Sequence, residues 1–69
     1  MPQQIEKVIK ERRSMLRLTQ EDLAALAGVA LRTLKAIEVG QGNPSLATLQ
    51  KIAEVLGMEV RLEVKHRIE

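Results

Sequence analysis

Residues 19–38 read TQEDLAALAGVALRTLKAIE, and the fold can be inferred from their pattern. Thr19 is a typical helix N-cap residue, and the apolar residues that follow it recur at helical spacing. Gly28 comes next and suits the left-handed turn that ends a helix. Leu34 and Ile37, three residues apart, indicate a second short helix. Two short helices joined by a tight turn make a helix-turn-helix unit.

The same patterns extend outward and predict an all-α domain of four to five helices over residues 1–57. The predicted helices cover residues 4–16, 20–27 and 30–38, and a fourth runs between a cap at Ser45 and a stop at Gly57. The helix-turn-helix unit occupies about residues 20–38. A Gly- and Pro-containing break over residues 40–44 separates the third helix from the fourth.

The period changes after the fourth helix. Met58, Val60, Leu62 and Val64 alternate with charged residues, as in a half-buried β-strand. A lone strand leaves its backbone groups unpaired, so it needs a strand from another chain. We therefore predict that residues 58–69 form a dimerisation segment whose strand pairs with its symmetry mate across a two-fold axis. The alternatives are a frayed tail and a strand ordered by a crystal contact.

The composition excludes several classes of protein. The chain has 69 residues, no Cys, one His and no aromatic residue, so no disulfide framework and no metal site is expected. Proteins that read single-stranded nucleic acids stack bases on aromatic rings, which are missing here. No run is long and apolar enough for a membrane span, and no signal peptide follows Met1. We expect a cytoplasmic protein, of bacterial or phage type and associated with the nucleoid.

The charges are unevenly distributed although the net charge is only +2. Residues 1–37 carry seven Lys or Arg against four Asp or Glu, and residues 38–69 carry four against five. A basic first half indicates a polyanionic partner, whereas the simpler interpretation is a solvated helix face. No catalytic constellation and no phosphate-binding glycine loop is found, so we expect neither an enzyme nor a cofactor.

At Leu18–Val60 the sequence LTQEDLAALAGVALRTLKAIEVGQGNPSLATLQKIAEVLGMEV resembles the lambda repressor/Cro-like (XRE) family. The resemblance implies a domain that binds double-stranded DNA. The C-terminal GMEVRLEV is similar to that of HipB-type antitoxins, which implies a homodimeric, autoregulating repressor on a palindromic operator with a cognate toxin as a second partner. Two alternatives stay open: a module whose main role is toxin neutralisation, and a stand-alone phage-type repressor.

The third helix of a helix-turn-helix enters the major groove, and its outward residues meet base edges. The predicted base-contacting residues are Leu31, Arg32, Thr33, Lys35 and Ala36. Arg32 is the strongest of them, because arginine can bond a guanine edge with two hydrogen bonds. Packing is nearly as good an interpretation of Leu31 as a base contact, and Thr33 could contact either a base or a phosphate. Ala30 cannot cap this helix through its side chain.

The predicted phosphate contacts are Gln20, Asn43, Arg12, Arg13 and Arg17. Gln20 is the one that the family resemblance supports most strongly, whereas Asn43 could simply form a turn. The resemblance also implies a structural ion pair between Arg13 and Glu38. In the family that the sequence resembles, a glycine is common at the position of Arg17. Arg17 must therefore adopt a positive φ, or the connection between the first and second helices must differ.

Overall fold

The computed structural model describes residues 4–62 and 64. It contains the helices α1 (Ile5–Met15), α2 (Gln20–Ala27), α3 (Leu31–Glu38) and α4 (Leu46–Val55). The predicted all-α fold of four helices is confirmed, and the helix ends differ from the predicted ones by about a residue. No β-strand is present among the described residues.

Local side-chain hydrogen bonds begin two of the helices. At α2 the backbone N–H of Asp22 donates to Thr19 Oγ1 at 2.9 Å, and the N–H of Thr19 donates back to Asp22 Oδ2 at 3.1 Å. At α4 the N–H of Thr48 donates to Ser45 Oγ at 3.1 Å. Both caps were predicted. Ala30 precedes α3 in an extended conformation and provides no side-chain cap.

All four helices end in the same way. One residue with positive φ follows the last turn, and the next backbone N–H donates to a carbonyl five residues back, as in a Schellman motif. At these four helix ends the residues with positive φ are Arg17, Gly28, Gly40 and Gly57. Arg17, at φ 59°, is the one with a side chain, so of the two possibilities raised by its sequence the structure adopts the positive φ.

The core lies where the four helices meet, because each helix contributes the apolar side of its surface. It consists of Ile9, Leu23, Ala24, Ala27, Leu34, Ile37, Ile52 and Leu56. Helix α2 packs against both α3 and α4, while α1 packs against α3. Because α3 packs against α1 and α2 by its apolar side, its opposite side, which carries Arg32 and Lys35, is exposed to solvent.

Residues 58–62 and 64 have no regular secondary structure. The strand predicted for this segment requires hydrogen bonds to a second chain, so its pairing stays a prediction. Part of that predicted segment, at residues 63 and 65–69, lies outside the described residues. The domain boundary at residue 57 also stays a prediction.

Candidate nucleic-acid interface

Helix α3 turns two basic side chains to solvent. Arg32 and Lys35 are exposed, whereas Leu34 and Ile37 are buried in the core. This division follows from helical geometry, since residues three apart share a side of the helix. Leu31 packs partly against the core, which supports a mainly structural role for its side chain.

A shallow groove joins the outward side of α3 to the loop that follows it. The groove has a volume of about 370 Å³ and is lined by Arg32, Thr33, Ala36, Ile37, Gln41, Gly42, Asn43 and Pro44. The structure thus brings together three predicted base-contacting residues and the predicted phosphate contact Asn43. Gln41 also lines the groove and was missed by sequence reasoning, because nothing but its place in the loop distinguishes it.

Arg13 and Glu38 form an ion pair between α1 and the end of α3. Arg13 Nε donates to Glu38 Oε2 at 2.8 Å, and Nη2 donates to Oε1 at 2.9 Å. Arg13 Nη1 also donates to the carbonyl of Leu18 at 2.9 Å. The hydrogen bonds to Glu38 raise the pKa of the Arg13 guanidinium above its usual value, against the opposing effect of burial. Arg13 is therefore a structural residue first.

Gln20 lies in the first turn of α2, as its predicted role requires, but its side chain has a partner within the protein. Gln20 Nε2 donates to Glu38 Oε1 at 3.0 Å, and the residue is half-buried. The predicted phosphate contact and the predicted ion pair are therefore parts of one hydrogen-bonded cluster. Sequence reasoning missed this link.

Arg12 lies away from the groove. Its Nε donates to the carbonyl of Leu56 at 2.8 Å, at the C-terminal end of α4. Asn43 precedes the opposite end of the ten-residue α4, and such a helix is about 15 Å long. The structure thus holds Arg12 as a brace of the α4 terminus, outside the groove that Arg32 and Asn43 line. Arg17 is exposed in the turn between α1 and α2.

The predicted dimerisation residues leave apolar surface exposed. Leu62 and Val64 are 97% and 93% exposed, while Met58 and Val60 are about two-fifths exposed. Met58 and Val60 line a groove of about 490 Å³ between α1 and α4, together with Ile5, Val8, Ile9, Leu49, Ala53, Leu56, Glu59 and Arg61.

Neither a metal site nor a membrane-spanning helix is found in the part of the chain that the structure describes. Nowhere there do three or more metal-ligating side chains come close enough together to hold an ion. None of the described helices has the length and apolar character needed to cross a membrane.

The family model described as helix-turn-helix matches residues 9–62. The chain belongs to the helix-turn-helix family. Over 52 residues this helix-turn-helix chain is 46% identical to an uncharacterised HTH-type transcriptional regulator of Methanothermobacter thermautotrophicus, and the match covers 75% of each chain. The family is thus that of the DNA-binding HTH-type transcriptional regulators, of the XRE type that the sequence predicts.

Solved structures share the fold. SinR, described as the master regulator for biofilm formation and crystallised in complex with DNA, is 38% identical with a TM-score of 0.74. The match covers 80% of this helix-turn-helix chain and 89% of that SinR chain. Hydroxypropylphosphonic acid epoxidase from S. wedmorenis is 34% identical with a TM-score of 0.70. That match covers 80% of this chain but 29% of the epoxidase, so it concerns a helical part of a longer protein.

Proposed function

We propose that this protein is a sequence-specific repressor that binds a palindromic operator in double-stranded DNA as a homodimer. The observation that carries the proposal is the groove beside α3, where Arg32 and Asn43 line one surface. The SinR complex with DNA supports it, because the two folds match over most of both chains. Inserting α3 into a major groove would place Arg32 at base edges and Asn43 beside the sugar–phosphate backbone.

The proposed contacts fall into two classes. Arg32 reads a base, and Lys35, one turn further along α3, contacts a base or a phosphate. Gln20, Asn43 and Arg17 contact phosphates. Thr33 and Ala36 line the groove and lie close to the bases once α3 is inserted. We assign Arg12 and Arg13 to the folded scaffold, because their guanidinium groups bond to Leu56 and to Glu38 and Leu18.

A binding-site selection from random duplexes with the purified protein tests this function. We expect a palindromic consensus and an affinity that falls with rising salt concentration. Arg32→Ala should bring the affinities for the consensus and for random DNA closer together, by about tenfold or more. Gln20→Ala should weaken both alike. Lys51→Ala removes the same charge as Arg32→Ala from an exposed position on α4 and is the matched control.

Two results would contradict the proposal. A selection that enriches no sequence would show that the protein does not read DNA bases. An Arg32→Ala variant that discriminates as well as the native protein would remove Arg32 from the base-reading role.

The homodimer is supported by the C-terminal segment. Leu62 and Val64 present apolar side chains almost wholly to solvent, and burying such side chains is favourable. Met58 and Val60 line the adjacent groove on the same chain. Pairing two copies of the segment across a two-fold axis would satisfy the strand backbone groups and cover these side chains. In such a dimer the two α3 helices would lie about 34–36 Å apart.

Sedimentation equilibrium tests the dimer. The native protein should sediment at twice its protomer mass of 7.7 kDa. Val60→Asp should give monomers, because a charge would be buried in the pairing surface. Lys51→Asp introduces the same acidic side chain at an exposed position of α4 outside this groove and should remain dimeric. A native protein that is monomeric at every concentration tested would refute the dimer.

We also propose the narrower role of a HipB-like antitoxin, which rests on the likeness of the C-terminal segment. This role requires a toxin-binding surface outside the DNA interface. Co-expression with the product of the neighbouring reading frame should yield a co-purifying complex. If no complex forms while the operator is still bound, the protein is a repressor without this partner.

A further inference from the structure

We propose that Glu38 is a positioning residue that orients the amide of Gln20 for its contact with a DNA phosphate. The inference rests on the proposed DNA-binding function and deepens it. Glu38 accepts three hydrogen bonds: from Arg13 Nε at 2.8 Å, from Arg13 Nη2 at 2.9 Å and from Gln20 Nε2 at 3.0 Å. These bonds connect α1, the start of α2 and the last residue of α3.

The chemistry of the amide makes its orientation matter. A glutamine side chain ends in an oxygen that accepts and an NH₂ group that donates two hydrogen bonds, whereas a phosphate oxygen only accepts. An unrestrained amide can present either end. An ionised carboxylate also only accepts, so Glu38 holds the NH₂ end of Gln20 toward α3. One N–H is used in that bond, and the second remains to donate to a phosphate.

The electrostatics permit this arrangement close to DNA. An isolated carboxylate near the phosphate contact would repel the backbone of the DNA. The side chain of Glu38 is only 2% exposed and is paired with a guanidinium through two hydrogen bonds. Its charge is therefore neutralised at short range, and it acts on DNA through Gln20.

Glu38 also links the two proposed classes of DNA contact. Glu38 is the last residue of α3, the helix that carries Arg32. The Gln20–Glu38 bond therefore ties the proposed phosphate contact on α2 directly to the proposed base-reading helix. The side chain of Gln20 is ordered before DNA binds, which lowers the entropic cost of forming the contact.

A double-mutant cycle tests the proposal. Glu38→Gln is introduced into the native protein and into Gln20→Ala, and affinity is measured for the selected operator and for a random duplex of equal length. In the native background Glu38→Gln should weaken binding to both duplexes by about tenfold, which corresponds to one charge-assisted hydrogen bond. In the Gln20→Ala background the same change should alter affinity by less than about twofold, because the amide that Glu38 orients is already absent.

Glu21→Gln is the matched control. It removes the same charge from an exposed residue next to Gln20 that takes no part in the hydrogen bonds to Glu38. Less negative charge beside DNA should leave affinity equal or raise it. A fall in affinity with Glu38→Gln therefore cannot come from the change in net charge.

The outcomes separate this inference from the function on which it rests. Equal losses from Glu38→Gln in both backgrounds would overturn the proposal, because Glu38 would then act independently of Gln20. A Gln20→Ala variant that binds as tightly as the native protein would also overturn it. A native protein that binds no duplex would refute the proposed function itself, and the positioning role with it.

A second measurement uses the native protein and does not depend on the folding of any variant. Side-chain NMR relaxation of the Gln20 amide, without DNA, should give an order parameter close to that of rigid backbone, about 0.85. Gln50, exposed on α4, is the internal reference for a mobile amide, with an expected value below about 0.6. If the Gln20 amide is as mobile as that of Gln50, Glu38 does not position it.

Discussion

Removing the guanidinium of Arg13 is the most informative perturbation of stability. The side chain of Glu38 is only 2% exposed, and Arg13→Ala would leave its carboxylate with the single hydrogen bond from Gln20. Breaking a buried ion pair from one side costs about 3–5 kcal/mol. The side chain of Arg13 is 17% exposed, so water can enter part of the space that its removal leaves, and the lower end of that range applies. We expect a loss of about 3 kcal/mol.

That loss is large for a chain of this size. A domain of 69 residues has a free energy of unfolding of roughly 3–10 kcal/mol, so Arg13→Ala would remove a third or more of it. The melting temperature should fall by roughly 12–24 °C. Far-ultraviolet circular dichroism during urea or thermal unfolding is the assay, because the chain has no aromatic residue to report by fluorescence. Protomer concentration is held fixed in case unfolding is coupled to dissociation.

Two further variants test the prediction for Arg13→Ala. Lys10→Ala, at an exposed position of α1, should change the free energy of unfolding by less than about 0.5 kcal/mol. The double variant Arg13→Met with Glu38→Leu should recover most of the loss, because two apolar side chains leave no unpaired buried charge. A loss below about 1 kcal/mol for Arg13→Ala would contradict the argument. So would a double variant as unstable as the single one.

The pH dependence of this penalty follows from the raised pKa of Arg13. A cation whose pKa is higher in the folded state contributes its full stabilisation below the unfolded-state pKa and loses it as the pH rises through the folded-state pKa. Both values lie in the strongly alkaline range. Arg13 therefore stays protonated in both states between about pH 6 and about pH 9. Its titration should not change the penalty of Arg13→Ala over this interval.

Two further stability predictions use the same assay. Leu34→Ala should lower the free energy of unfolding by about 2–5 kcal/mol, because Leu34 is fully buried. Leu26→Ala, at a side chain that is 64% exposed, should lower it by less than about 0.5 kcal/mol. Similar losses from the two changes would contradict the observed core. Arg17→Gly should stabilise the protein by about 0.5–1 kcal/mol, because glycine adopts the φ of 59° without steric cost. Arg17→Ala keeps the Cβ atom and should bring no such gain, so equal effects of the two changes at Arg17 would show that φ is not the cause.

The helix boundaries were largely predictable because their determinants are local. Thr19 bonds to Asp22 and Ser45 to Thr48, each three residues away, so the caps can be recognised from short sequence patterns. Gly28 ends α2 by the conformation that glycine adopts at low steric cost. The exposure of Arg32 also follows from helical period once Leu34 and Ile37 are assigned to the core.

The partners of the polar side chains could not be predicted in the same way. Arg12 bonds to Leu56, 44 residues away, and Gln20 bonds to Glu38, 18 residues away. Both were predicted from the sequence to contact phosphates. A basic or amide side chain has the same appearance in a sequence whether it is directed at DNA or at another helix. Only the packing of the helices brings its partner within hydrogen-bonding distance.

Short-range patterns in the sequence were thus enough to predict the four helices, the turn at Gly28 and the basic side of α3, since each depends on residues a few positions apart. The bonds from Arg12 to Leu56 and from Gln20 to Glu38 depend on how the helices pack and could not be predicted from such patterns. The physical reason is the range of the interactions. Backbone conformation responds to near neighbours, whereas the partner of a long polar side chain is set by which helix ends the core brings together.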